Sequence, residues 1–507
     1  MTDPDRTPVI IGVGQIADRE RDPTAALDTV GLMAAALREA DADAGGHWLS
    51  RLESLFLVDH LSFRDKGSAT TLAERLGVAP RLLGKGAYPG GETPILLLNQ
   101  AANRIGSGEI AIAAVVGGEA LRTEGARLAA AAGRERPVNS LEESAKRAPP
   151  SYRARYGLTL PTNIYPLYEN AGRAAYGQTL SQAQAESGAI WALSSQVAAA
   201  NPGAWIRKPS TAEEIVTPSA GNRPIAFPYN KLMVANSSVN MGAAFIVTSL
   251  AAARGAGIPE ERLIHVGMGA AANEADDFLA REGYERSIAM EVALGKTLEL
   301  NGLSAAELDH VELYSCFPTV PKMARRVLDW SIEKPTTVYG GLTFGGGPIG
   351  APMAHAVVCM VQKLREHENG CGLIFANGGY ASHNHCIVLT RNPNPRAEFP
   401  QSFDYQAEAD ARRGVPPGFL EDYVGPGVIE SYTVFHDRNG EVTFGVVIGR
   451  TPDRTTRFLA KVPRADVGGI AFLTTGVREP VGSGGEAVAG SDGDIMWLVE
   501  DATSAAC

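Results

Sequence analysis

"GGETPILLLNQAANRIGSGEIAIAAVVGGEA" at residues 90–120 and "GGPIGAPMAHAVVCMVQKLREHENGCGLIFANGGYA" at residues 346–381 follow one plan. Each opens on a glycine pair, Gly90-Gly91 and Gly346-Gly347, and passes through proline and small residues into an apolar helical stretch. Each then crosses a polar break into a short apolar strand and closes on a second pair, Gly117-Gly118 and Gly378-Gly379. A glycine turn, buried helix and buried strand recurring at this distance predicts two similar α/β halves. Each copy also sets a helix N-terminus beside glycine. The first N–H groups of a helix lack internal partners and favour negative charge, so an anionic ligand fits there. In the first copy Thr93 is the expected N-cap and Pro94 the first helical residue. The Gly90, Gly91, Thr93 turn reads either as the tight cap of a core helix or as an oxyanion or phosphate cradle. Its recurrence at Gly346 and Gly347 balances the two readings.

The surrounding chain keeps a wound α/β rhythm. "PVIIGVG" (8–14) reads as a buried strand, a helix follows at about 23–43, and "SLFLVD" (54–59) is a second strand. Residues 121–235 break the rhythm with Pro, Arg and aromatic residues, and read as a partly helical insertion of binding or lid type. Strand and helix alternation resumes at 240–257 and runs to "HVELYSCF" (310–317) and a helix at about 318–329. Residues 396–417 are polar, with scattered prolines, and read as a linker. Beyond them, "GVIESYTVFHDRNGEVTFGVVIGR" (427–450) alternates around Asn439-Gly440, a strong hairpin signal. "TRFLAKV" (456–462) and "GGIAFLTTGV" (468–477) are expected to add strands, so the tail from 418 to 507 reads as a small β-rich domain, a compact barrel. The expected division is 1–260, carrying the insertion, then 261–395, the linker 396–417 and the tail.

At 507 residues the chain exceeds one ordinary core. A formal charge of −11 argues against nucleic acid as the main partner. The start lacks a basic region and a long apolar core, and no window offers an uncharged apolar run long enough to span a bilayer. The five cysteines, Cys316, Cys359, Cys371, Cys386 and Cys507, form no C-x-x-C pair. Their odd count fits free thiols and a cytoplasmic location. "GVGQIA" (12–17) matches a dinucleotide fingerprint, but "DRERDPT" delays the helix, which favours a plain strand end. In "YASHNHCIVL" (380–389), His383 and His385 have no acidic or cysteine set at metal-site spacing, so no metal site is expected. His383 beside a glycine turn reads as structural or as an acid/base group. His355, on an apolar helix, reads as a packed histidine.

The order of these segments resembles the thiolase superfamily over about residues 8–395, and within it the sterol-carrier-protein thiolases. "GSGEIAIAAVVGGEA" looks like the strand and turn after that family's nucleophile helix, and residues 176–205 like its loop domain. "VNMGAAFIVTS" (239–249), "VELYSCFP" (311–318), "TFGGGPIGAP" (343–352) and "FANGGYASH" (375–383) take the places of its later motifs. The resemblance implies a duplicated fold of αβαβα layers, two mixed sheets around central helices. Its catalytic residues do not carry over. The nucleophilic Cys position falls on Gly91, the His of Gly-His-Pro near Ala351, the oxyanion Asn or His on Tyr314, and the second acid/base near Ala376. Loss of the nucleophile together with an appended β domain resembles the mycobacterial-type thiolase-like proteins type 1. The tail is similar to the small OB-type barrels that accompany some thiolase-family proteins.

The resemblance implies an acyl-CoA thioester as substrate or ligand, with no bound cofactor. Membership of the acetyl-CoA acetyltransferase family by fold does not establish that activity. The expected reading is a protein of lipid metabolism that lacks thiolysis, either a retro-aldol or condensing enzyme or a non-catalytic binder or scaffold. Tyr314 and His383 are the expected acid/base pair, with Gly90, Gly91, Thr93, Gly346, Gly347, Asn377 and Gly378 on the substrate. The assembly is a monomer or a homodimer, and the tail is available to dock a protein partner.

Overall fold

The computed structural model describes residues 3–62, 67–134, 151–491 and 493–499. Cys507, the last residues of the expected tail domain and part of the 121–235 insertion lie outside them. The strands of the first half are β1 (Pro8–Ala17), β2 (Ser54–Leu57), β3 (Leu82–Lys85) and β4 (Ile112–Ala120). The insertion contributes the short β5 (Pro224–Ala226) and β6 (Tyr229–Asn230), and β7 (Asn240–Ser249) completes the half. The second half holds β8 (Ile264–Asn273), β9 (His310–Leu313), β10 (Cys371–Gly378) and β11 (His383–Thr390). Their order is β3-β2-β4-β7-β1-β8-β11-β10-β9. The two half-sheets meet edge to edge through a two-residue pairing, Val9 with His265 and Ile10 with Ile264.

The repeated helices, Thr93–Ser107 and Pro352–Arg365, pack on each other and on strands of both halves. Their apolar residues are almost wholly buried, as a helix covered on all sides requires. The Thr29–Asp43 helix covers the outer face of the first half and Ile288–Asn301 that of the second. A β-carbon on Gly12 or Gly14 would strike the backbone of the Thr29–Asp43 helix. The "GVGQIA" glycines therefore serve close strand–helix packing.

Three sequence expectations change. Thr93 is not the N-cap: Glu92 holds that position, and Thr93 is the first helical residue with its hydroxyl 3.5 Å from the Tyr88 carbonyl. Residues 467–474 form a helix, because Asp466 caps it by accepting from the Gly469 N–H at 2.8 Å. Residues 396–417 are strapped to the body. Gln401 donates to Asn99 at 2.6 Å and accepts from the Gly269 N–H at 2.9 Å, and the Gln406–Arg412 helix packs on Ile288–Asn301.

The tail contains β12 (Gly418–Phe419), β13 (Gly425–His436), β14 (Val442–Arg450), β15 (Thr456–Pro463), β16 (Gly484–Ala489) and β17 (Ile495–Val499). β13 and β14 form the hairpin at Asn439-Gly440. Pairings run β13-β14-β15-β17-β16 and return to β13, closing a five-stranded barrel. Strand alternation divides its side chains. Val447, Phe458, Ala460, Val462 and Trp497 fill the barrel, while Val446, Ile448, Leu459 and Phe435 join the main core. β5 pairs with β13, so the insertion is tied to the barrel as well.

Candidate functional site

The Thr93–Ser107 helix, the loop after β9 and the β10–β11 turn converge at one point. A side chain on Gly91 would collide with the Tyr314 hydroxyl and the Asn377 carbonyl oxygen, so both lie against this glycine. The space beside Gly90 and Gly378 is taken by the carboxylate of Glu92. Glu92 is buried; its Oε1 accepts from the Tyr88 hydroxyl at 2.5 Å, while its Oε2 is buried without a partner. A carboxylate at a helix start is favoured by the exposed N–H groups there. Burial, the neighbouring Cys316 and Glu92 raise the Tyr314 phenol well above its ordinary range; burial and Glu92 likewise raise Tyr88. Both phenols therefore stay protonated at neutral pH: Tyr88 donates its hydrogen bond to Glu92, and Tyr314 can donate to an oxyanion.

His383 lies at the edge of this group. Its ring stacks at a tilt on Tyr88, centroids 5.5 Å apart, and its Nε2 is 3.1 Å from Asp276. It reaches the Gly91 turn through Tyr88 and Glu92. Asn377 is held by its own amide, which donates to the His383 carbonyl at 3.1 Å and to Asn384 at 3.0 Å. The insertion braces the same loop: Tyr165 accepts from the Ala381 N–H at 3.0 Å, and Tyr168 donates to the Tyr380 carbonyl at 2.8 Å. Tyr314, Ile349 and Ala381 all carry positive φ, at 36°, 49° and 58°. Such strain in non-glycine residues collects where geometry is over-determined.

Gly346 and Gly347 lie elsewhere. Gly346 packs on Met241 and Trp205, and the Gly347 N–H donates to the Asn236 carbonyl at 2.8 Å. Of the turn that opens the second repeat, it is Gly350 that lies against Pro89, beside the first glycine pair. His385 is buried against Asn99 at 2.7 Å, and among the described residues no group of three His, Cys, Asp or Glu side chains is set to hold a metal. His355 is wholly buried, with Nδ1 3.1 Å from Gln15. Glu92 and Tyr88 are the residues the sequence reading missed. Their signal was a charged residue inserted between Gly-Gly and Thr-Pro at the start of an otherwise apolar helix.

Glu312, two residues before Tyr314, is a second buried carboxyl. Its Oε2 accepts from Thr337 at 2.6 Å and from the Val338 N–H at 3.0 Å, while Oε1 has no partner. Burial pushes it up to about 7. The folded state thus holds this proton more tightly than the unfolded chain, so the stabilisation is complete below the ordinary carboxylate range and is lost as pH rises through about 7. Urea unfolding should show the wild type losing on the order of 3 kcal/mol through this group between mildly acidic and neutral pH. The difference between wild type and Glu312→Gln should change by that amount over the same range; a constant difference would refute the assignment.

Residues 406–492 match the family described as "Thiolase-like protein type 1 additional C-terminal domain". No curated protein sequence matches the chain significantly. Among solved structures, a monomeric SCP2-thiolase-like protein type 1 from Mycobacterium smegmatis is 27% identical, with a TM-score of 0.82 over 98% of this chain and 100% of that one. An Ltp2-ChsH2(DUF35) aldolase is 19% identical, with a TM-score of 0.58 over 76% of this chain and 98% of that one. Human mitochondrial 3-ketoacyl-CoA thiolase in complex with CoA is 15% identical, with a TM-score of 0.56 over the same shares, 76% and 98%. In its matched C-terminal segment and along its whole length, the chain is thus similar to the thiolase-like proteins type 1.

Proposed function

We propose that the chain binds an acyl-CoA thioester at the Gly90–Thr93 turn and makes or breaks a carbon–carbon bond beside the thioester, without acylating itself. The observation that carries this reading is Glu92, a buried carboxylate with one oxygen unpartnered at a helix start. Buried polar atoms in native proteins are nearly always satisfied, and exceptions concentrate at working sites. In the retro-aldol direction Glu92 takes the proton of a β-hydroxyl. The bond between the α and β carbons then breaks, giving a carbonyl product and a thioester enolate, and the α carbon regains a proton. Tyr314 donates to the enolate oxygen. Tyr88, hydrogen-bonded to Glu92 and stacked on His383, links the carboxylate to the surface pair of His383 and Asp276. Thiolysis is absent from the reading because the alignment puts Gly91 where a thiolase has its nucleophile, and that space holds Tyr314 and Asn377.

The acyl-CoA reading is supported by the CoA-bound thiolase among the structures of similar fold, and the aldol reading by the aldolase. The strand order of the tail barrel, with a helix between its third and fourth strands, supports an OB-type assignment. A non-catalytic acyl-CoA binder is the second reading. It is favoured by how fully Tyr314 and Glu92 are enclosed, at 7% and 5% exposure.

Two measurements decide between them. Acyl-CoAs of increasing chain length should raise the melting temperature, because a ligand bound only by the folded state stabilises it. Incubation with β-hydroxyacyl-CoAs should release a carbonyl product and a shortened acyl-CoA, and Glu92→Gln should lower that rate about 100-fold or more while leaving the thermal shift in place. Stabilisation without turnover would establish the binder. No stabilisation by any acyl-CoA, or a stoichiometric acetyl adduct by intact mass after acetyl-CoA treatment, would overturn the proposal.

A further inference from the structure

The segment that begins the added domain shapes a cavity away from the Gly90–Thr93 turn. Its helix, Gln406–Arg412, is held on the Ile288–Asn301 helix by the pairs Lys296–Glu408 at 3.2 Å and Arg412–Glu291 at 2.8 Å. Between these two helices and Thr319–Val327 lies a cleft of about 410 Å³, walled by Tyr176. Its floor is apolar: Met290 and Met323 are buried, and Val327 is exposed. Its rim carries three guanidinium groups from three separate elements, Arg286, Arg326 and Arg412.

The rim arginines share their ion-pair partners. Glu291 is shared by Arg286, at 2.7 Å, and Arg412, at 2.8 Å. Glu186 is shared by Arg325, at 3.0 Å, and Arg326, at 2.7 Å. Two carboxylates therefore orient four guanidinium groups, each carboxylate divided between two of them, while Glu282 and Glu285 add negative charge on the Arg286 side. Tyr176 is fixed as a wall: its hydroxyl donates to the Glu285 carbonyl at 3.3 Å, and the Arg326 guanidinium lies 4.1 Å from its ring centroid. Half-engaged arginines beside an apolar floor match an anionic head joined to an apolar tail. The volume lies at the small end of the ~300–1,000 Å³ of ligand pockets, which limits the tail to a short chain.

We propose that this cleft binds an amphipathic organic anion, with a carboxylate or phosphate head among Arg286, Arg326 and Arg412 and an alkyl tail over Met290, Met323 and Val327. The site is separate from the Gly90–Thr93 turn and stands whether or not that turn is catalytic.

Isothermal titration of the full chain with octyl phosphate, octanoate and inorganic phosphate tests it. Saturable one-to-one binding is expected for at least one of the two octyl compounds; which one identifies the preferred head. Inorganic phosphate, which lacks the tail, should bind about tenfold or more weakly than octyl phosphate. Arg286→Gln with Arg412→Gln should weaken octyl-compound binding about tenfold or more. The two side chains are 53% and 43% exposed, so the fold should persist, which the melting temperature checks. Val327→Glu, which places a negative charge on the floor, should abolish binding and decides the matter alone should the double variant fail to fold. The proposal is overturned if neither octyl compound binds saturably, or if the folded variants bind as the wild type does.

Discussion

Arg457→Ala is expected to destabilise the chain by about 3–5 kcal/mol, one of the largest effects available to a single substitution. Arg457 leaves β15 with no solvent exposure. Its Nε and one terminal nitrogen hold both oxygens of Glu430 on β13, at 2.6 and 2.7 Å. The other donors reach the carbonyls of Leu279, at 2.8 Å, of Glu282, at 3.1 Å, and of Arg281, and the guanidinium lies 4.7 Å from the Tyr284 ring centroid. One side chain thus fastens the barrel to the second half of the body. Its removal leaves the partly buried Glu430 carboxylate with Arg450 as its remaining ion pair, and three carbonyls without this donor. Urea unfolding measures the loss, and calorimetry should resolve a separate, earlier transition for the barrel. Replacing both partners with apolar residues, Arg457→Met with Glu430→Met, should restore much of the stability, since a buried pair is worth little against well-packed hydrophobic residues. If Arg457→Ala costs less than about 1 kcal/mol, the seam is held by packing alone.

Gly91→Cys, which restores the residue type a thiolase carries at the aligned position, is expected to cost about 1–3 kcal/mol and to create no acyl-enzyme. A β-carbon there would overlap the Tyr314 hydroxyl and the Asn377 carbonyl oxygen. The carbonyl belongs to a paired strand and cannot retreat, whereas the tyrosine side chain can be shortened. Gly91→Ala should therefore be less costly in a Tyr314→Ala background than alone, with a coupling of about 0.5–3 kcal/mol measured by urea unfolding. Equal costs in the two backgrounds would show that Tyr314 is not what keeps position 91 a glycine. Intact mass after acetyl-CoA treatment should show no adduct on Gly91→Cys, because the aligned activating position is Ala351, which carries no base.

The legible and illegible parts of this molecule separate by physical cause. The repeat at 90–120 and 346–381 announced its two central helices because apolar runs bounded by glycine leave a strong pattern. The turn at Gly90 and Gly91 was placed beside Tyr314, Asn377 and Gly378 by motif order, and these residues do meet. Analogy between the copies expects Gly346 and Gly347 on the substrate, and in the structure they pack on Met241, Trp205 and Asn236. Glu92 does not stand out in sequence, because a single carboxylate near a helix start is ordinary there, and only its burial sets it apart. The strap at 396–417 was hidden for a related reason. It docks through amides, Gln401 to Asn99 and to the Gly269 N–H, and hydropathy does not register hydrogen bonds. The 467–474 helix reads as a strand in sequence because its apolar run has no helical period, and the deciding signal is the single capping residue Asp466.

The ring of pairings from β13 back to β13 also limits how the tail can meet another protein. A sheet with an open margin offers unpaired N–H and C=O groups, and an extended peptide can join it as one more strand. Here each of the five barrel strands has a neighbour on both sides, β15 and β17 through the one pairing of Lys461 with Met496, and β5 meets the far end of β13. A protein that recognises this domain is therefore left chiefly with side chains and surface shape. Its selectivity would rest on the residues the barrel displays, and the domain is guarded against joining copies of itself edge to edge into fibres.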